Sequence, residues 1–170
     1  GKNWLFNQYD KNYAKKIYET FNFTEALSKI ISIRKIELDQ IENFINPTIK
    51  KNLPNPDSIK DMIIATNTTI SHIQSKNIIG IFGDYDVDGA TSSAILAKYF
   101  KHINQPFKLL IPDRIKDGYG PTKEGFDSLI NKGSKLIISA DCGTSSFEAI
   151  LYSKNKNIQT IVLDHHQGDI

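Results

Sequence analysis

Residues 78–89 read IIGIFGDYDVDG: an apolar run, Ile78 to Phe82, that ends in three aspartates at alternate positions, Asp84, Asp86 and Asp88. A short run of this kind, bounded by glycine, is the mark of a strand buried on both faces. The pattern recurs three times downstream. Phe107 to Ile111 leads into Pro112-Asp113-Arg114, Leu136 to Ser139 into Asp141-Cys142-Gly143, and Thr160 to Leu163 into Asp164-His165-His166. Helix-like stretches separate the runs, at Thr91 to His102, Lys123 to Lys132 and Ser146 to Ser153. Apolar runs alternating with helices are βαβ units, so the expected fold class is α/β: a parallel sheet of at least four strands flanked by helices. In open parallel sheets ligands bind beyond the carboxyl ends of the strands. All four strands deliver acids or imidazoles to that edge.

Upstream the texture is helical, giving a helical N-terminal lead-in over residues 1–75 before the α/β domain at 76–170. Thr24 can cap a helix carrying Leu27, Ile30, Ile31 and Ile33, and Glu37 to Ile45 places Leu38, Ile41, Phe44 and Ile45 on one face. Leu53-Pro54-Asn55-Pro56 reads as a linker, because each proline removes a donor and restricts the residue before it. Asp57 or Ser58 is then expected to cap a helix carrying Ile59, Met62, Ile63, Ile70 and Ile73. Trp4, Phe6, Tyr9 and Tyr13 are expected to pack rather than to stack on bases.

The chain has 170 residues, 39% hydrophobic and 24% charged, enough for one well-buried core or for one core plus a small appendage. Collagen-like, disulfide-scaffold and fully disordered classes are excluded. With 21 Lys+Arg against 19 Asp+Glu, the net charge of +2 does not announce a polyanionic partner. The acids are skewed, however: 13 are Asp and 6 are Glu. One cysteine, Cys142, allows no internal disulfide, and no stretch has the roughly 20 apolar residues of a membrane span. Without a signal-like apolar run at Gly1-Lys2-Asn3-Trp4, a cytoplasmic setting is the expectation, as is a segment cut at both ends.

Alternate aspartates at 84, 86 and 88 would repel one another in a small volume unless a cation lies among them. With Asp141, Asp164, His165 and His166 the set becomes mixed oxygen and nitrogen, which suits manganese, magnesium, iron or zinc. Five or more candidate ligands point to two ions sharing a carboxylate, an arrangement that hydrolyses phosphate esters. An EF-hand loop is disfavoured: its twelfth position, counted from Asp84, is Ile95 instead of Glu, and the loop follows a strand. A phosphoryl-aspartate phosphatase of the haloacid dehalogenase type would have Thr where Ala90 stands. Aspartates as mere turn formers explain any one loop but not four converging loops. Cys142 reads as packing, and His72 and His102 as surface or boundary residues.

The run from Gly83 to Ser92 resembles the first motif of the DHH phosphoesterases, Asp141-Cys142-Gly143 the second, and Asp164-His165-His166 the third. Asn46-Pro47, the stretch from Leu53 to Met62, and Ile111 to Gly120 are similar to the single-stranded-DNA exonucleases of that family. The resemblance spans roughly residues 35–170. It implies two divalent ions, manganese or magnesium, with Asp86 on one, Asp88 on the other, Asp141 between them and His165 completing the second site. Asp84 and Asp164 would act as ligands or directly behind them, His166 would sit by the scissile phosphate, and Arg114 and Tyr119, with Lys116, would contact substrate.

The implied function is stepwise 5′ to 3′ hydrolysis of single-stranded DNA in repair or recombination, in a bacterium. The implied partners are single-stranded DNA, a single-stranded-DNA-binding protein and a helicase, with no membrane. Two departures from the pattern stand out: Phe82 occupies a position where many members have a metal-binding His, and the fourth motif and DHH-associated domain are not in the chain, so the segment alone is expected to be inactive. Alternatives are a phosphodiesterase for short oligoribonucleotides, cyclic dinucleotides or pyrophosphate, and a non-catalytic remnant.

Overall fold

The structure is a computed structural model that describes residues 7–168. Trp4 and Phe6 lie outside the described residues. The chain divides into two compact units, one reaching to Pro56 and one beginning at Asp57. The division therefore falls in the proline-rich linker, and the helix that follows belongs with the sheet, whereas the sequence pattern put the boundary near residue 75.

The first unit holds α1 (Lys11–Phe21), α2 (Glu25–Ile33), α3 (Ile41–Ile45) and α4 (Ile49–Asn52). Asp10 caps α1 by accepting from the amides of Asn12 and Tyr13, and Thr24 caps α2 by accepting from Leu27. Ile17, Ile31 and Ile41 form its buried core, with Tyr13, Leu27, Leu38 and Ile45 around them. Tyr13 thus packs as expected, and its hydroxyl donates to the Ile36 carbonyl. The expected helix from Glu37 starts only at Ile41, after a turn closed by the Gln40 amide on the Glu37 carbonyl.

A 3₁₀ turn at Pro56–Ser58 spans the division, and the second unit continues into α5 (Met62–Gln74), whose N-cap position is Asp61 rather than Asp57 or Ser58. Asp61 stands at its start with φ 59°, a left-handed residue that breaks continuity with the turn before it. Only part of the anticipated apolar face is covered, since Ile73 packs on the sheet while Ile59, Ile63 and Ile70 are exposed. Among the described residues no helix is long and apolar enough to cross a membrane.

The sheet comprises β1 (Ile78–Gly83), β2 (Phe107–Leu110), β3 (Ser134–Ala140) and β4 (Gln159–Leu163), all parallel, in the order β2-β1-β3-β4. Between them run α6 (Val87–His102), α7 (Lys123–Asn131) and α8 (Phe147–Asn155). Side chains alternate along the central strands, so each face has its own core. Ile79, Ile81, Leu136 and Ile138 point to the face covered by α5 and α6, where Ile73, Leu96 and Phe100 meet them. Phe82 and Ile137 point to the other, where Phe126 and Leu129 of α7 and Ala149 of α8 close over them. The two edge strands are only half buried.

Strand order dictates this distribution. From β1 the chain steps one way to β2 through α6, then the opposite way to β3 and β4 through α7 and α8. Right-handed crossovers in opposite directions put their helices on opposite faces. The loops leaving β1 and β3 consequently diverge, and a crevice opens between the carboxyl ends of these two neighbours.

Phe126 is fully buried, edge-on to Phe82 with ring centroids 5.7 Å apart, and locks α7 to the sheet. Phe126→Ala is expected to cost about 3–5 kcal/mol in urea unfolding. A loss below about 1 kcal/mol would mean that α7 is not held by this contact.

Candidate metal centre

Two backbone hydrogen bonds extend the sheet past its last paired residues and bring the first acids to the crevice. The Asp84 amide donates to the Ala140 carbonyl at 3.3 Å, and the Asp141 amide to the Leu163 carbonyl at 2.7 Å. Asp84 and Asp141 thus leave β1 and β3 as neighbours, and both are buried. The chain then turns at once into α6, with Asp86 as its capping residue accepting from the Gly89 amide at 2.9 Å. Only glycine fits at 89, because a Cβ there would lie 2.5 Å from the Asp84 carbonyl oxygen. The first turn of α6 is pressed directly onto the acid it helps to present.

Asp141 has φ 64°, a left-handed conformation that aspartate tolerates better than most residues. One of its oxygens, Oδ1, lies 3.2 Å from His165 Nε2, while Oδ2 is buried and has no hydrogen-bond partner. Atoms of Asp84, Asp86 and Asp141 lie within 4.8 Å of one another, and so do atoms of Asp141, His165 and His166. Asp141 belongs to both groups. Asp88 stands in the first turn of α6, exposed, and is in neither group.

Asp164 is also outside both groups. Its Oδ2 accepts from the Thr144 hydroxyl at 2.7 Å and the Thr144 amide at 3.0 Å. Its Oδ1 accepts from the His166 amide at 3.1 Å and faces His166 Nδ1 at 2.7 Å. Burial by itself would raise its pKa, but these bonds to Thr144 and His166 outweigh burial and hold the carboxyl well below the usual range.

Charge is crowded in the crevice. Burial, then the charge of Asp86 and a hydrogen bond shared with it, push the Asp141 carboxyl up. The Gly89 amide holds Asp86 down, with its bond to Asp141 contributing. Burial and the charges of Asp164 and Asp84 push the Tyr119 phenol up to about 12. A hydrogen bond to Asp164 raises His166. Crowded carboxylates and an orphaned buried carboxylate oxygen are what a cation would relieve. The donor set of carboxylates and imidazoles fits a hard or borderline divalent ion such as manganese or magnesium.

The loop after β2 walls one side. Arg114 lies over the Tyr85 ring, 5.2 Å from its centroid, and Tyr85 meets Tyr119 edge-on at 6.5 Å. Tyr119 meets His166 at 5.9 Å, and its hydroxyl is 3.2 Å from His166 Nδ1. Lys116 enters through its backbone alone, its amide donating to Asp113. Arg114 and Tyr119 were expected here; Tyr85 and Thr144 were not. The signal for Tyr85 was its place between Asp84 and Asp86, whereas nothing local marks Thr144, whose partner is twenty positions away. His72 departs from the expected surface position: it is buried, bonded to Gln159 at 2.7 Å and Asn77 at 3.2 Å, and joins α5 to the foot of the sheet.

A family model described as DHH family, N-terminal domain, matches residues 78–170. The single-stranded-DNA-specific exonuclease RecJ of Bacillus subtilis is 27% identical over 164 residues, covering 96% of this chain and 21% of that protein. RecJ of Haemophilus influenzae is 33% identical over 117 residues, covering 68% and 20%. The chain spans about a fifth of the length of these curated relatives. A crystal structure of exonuclease RecJ bound to manganese superposes with a TM-score of 0.58 at 27% identity, over 62% of this chain and 27% of that one. RecJ of Thermus thermophilus in complex with Mn2+ superposes at 0.63 and 18% identity, over 93% and 22%, a likeness of fold alone.

Cys142, fully buried beside Asp141, packs against the site as expected and has its thiol pushed up to about 12, by burial first. The unfolded thiol titrates near 8.5, so its contribution to stability is intact below about pH 8.5 and is lost as pH rises from there toward the folded value. Native protein at pH 8 is expected to resist aromatic disulfide reagents and to react with one equivalent when unfolded. Rapid labelling of the native state would contradict this burial.

Proposed function

The chain belongs to the DHH family, and on that premise we propose that its crevice is the metal-dependent hydrolytic centre of a single-stranded-DNA exonuclease acting 5′ to 3′ in DNA repair or recombination. The observation that carries this reading is Asp141: one buried carboxylate, with one oxygen unsatisfied, common to an all-carboxylate group and an imidazole-bearing group. Support for the substrate comes from relatives named as single-stranded-DNA-specific exonucleases. The polarity is taken from the family resemblance.

Asp84, Asp86 and Asp141 would hold one divalent ion, manganese or magnesium, and Asp141 with His165 a second, with Asp88 in reach from the first turn of α6. Bound there, such ions supply charge neutralisation at a scissile phosphate and an acidified water. The protein's own part is positional. Asp164 steadies the His166 ring, whose raised proton affinity lets it carry a proton toward a phosphoryl oxygen. Tyr119 stays a neutral phenol and can donate to the same phosphate. Arg114, stacked on Tyr85, offers a planar cation to a neighbouring phosphate and a face for a base. The His165 side chain is 71% exposed, so water enters from one side and the segment alone should bind metal but turn over slowly. The proposed partners of the whole protein are single-stranded DNA, a single-stranded-DNA-binding protein and a helicase, in the bacterial cytoplasm.

The test uses 5′-labelled single-stranded DNA, short oligoribonucleotides, a cyclic dinucleotide and pyrophosphate, with manganese, on protein of the relatives' length carrying this segment. Single-stranded DNA should be the best substrate, and Asp141→Asn should lower kcat/KM by about a thousandfold or more. Preference for one of the small substrates would move the assignment to another phosphodiesterase. Absence of manganese binding to the wild-type chain would leave the remnant reading.

A further inference from the structure

Both oxygens of Asp164 are fully used. An ionised carboxylate offers about four acceptor positions, and here all four are taken, two by Thr144 and two by His166. The Asp164 side chain is 2% exposed, so its two oxygens are shielded from solvent by these donors. Becoming a metal ligand would require Asp164 to give up at least one of these donors. Its neighbours in sequence behave differently: His165 reaches Asp141, and His166 is grouped with the same pair.

Thr144 lies three residues beyond Asp141 on the loop leaving β3, and Asp164 immediately precedes His165 on the loop leaving β4. The Thr144–Asp164 bonds therefore tie together the two loops that carry the imidazole-bearing group. They also leave Oδ1 to fix one ring nitrogen of His166. With Nδ1 occupied by Asp164, and the Tyr119 hydroxyl beside it at 3.2 Å, Nε2 is the nitrogen left for a phosphate.

We propose that Asp164 is a positioning residue and not a metal ligand, and that Thr144 is its positioning partner, the two setting the ring orientation and tautomer of His166. The value of that tautomer for hydrolysis rests on the function proposed above; the hydrogen-bond geometry does not. In this arrangement the imidazole keeps its proton on Nδ1 when neutral, the logic by which a carboxylate orients a catalytic histidine.

The experiment is nitrogen-15 histidine NMR on the metal-free chain at a pH where the ring is neutral, with His166 assigned through His166→Gln, followed by manganese titration calorimetry. Wild type and Thr144→Ser should show the Nδ1–H tautomer. Asp164→Asn should lose it, and Thr144→Val should weaken it at an unchanged fold. Asp164→Asn should keep the manganese Kd within about tenfold of wild type, against a loss of about a hundredfold or more for Asp141→Asn. An unchanged His166 tautomer in Asp164→Asn, or a manganese loss equal to that of Asp141→Asn, overturns the proposal. Should the tautomer respond as stated while hydrolysis by the longer protein is indifferent to it, the positioning role stands and the function assigned to His166 fails.

Discussion

A carboxylate buried at the end of a central strand, with one oxygen unsatisfied, is an expensive thing to build. Asp141 is held there by the sheet itself: its amide continues the β3–β4 ladder and its left-handed backbone turns the side chain back toward β1. Neighbouring carboxylates add to the expense: after burial itself, the charge of Asp86 does most to push the Asp141 carboxyl up. A divalent cation relieves both costs at once. The surrounding features, from the reversal of strand order to the capping of α6, bring carboxylates and imidazoles to this one oxygen-rich point.

The fold and the site are the same construction at two scales. Reversal of strand order between β1 and β3, which run parallel, opens the crevice, and the acids come from the first residues past those strands. Gly89 lets α6 begin so close to Asp84 that Asp86, its cap, shares the crevice. On the far side, Thr144 and Asp164 join the loops after β3 and β4.

Much of this was legible in the sequence because the physics was local. Apolar runs ending in Gly and Asp marked four strands, and the observed ones begin and end within two residues of those runs. The acids and imidazoles to watch were named by their position after each strand. Tertiary contacts were not legible. The exposure of Ile63 on α5, the burial of His72 against Gln159 and the pairing of Thr144 with Asp164 depend on elements far apart in the chain. Nor could spacing reveal that Asp88, one of three alternating acids, would stand outside the tight group once α6 wound through it.

The most direct measurement of the central claim is anomalous X-ray scattering at the manganese edge from crystals of this chain soaked in manganese. Peaks beside Asp141, one toward Asp84 and Asp86 and one toward His165, are what a shared carboxylate predicts. Manganese bound elsewhere, or an Asp141 carboxylate left without metal at saturating concentration, would contradict it.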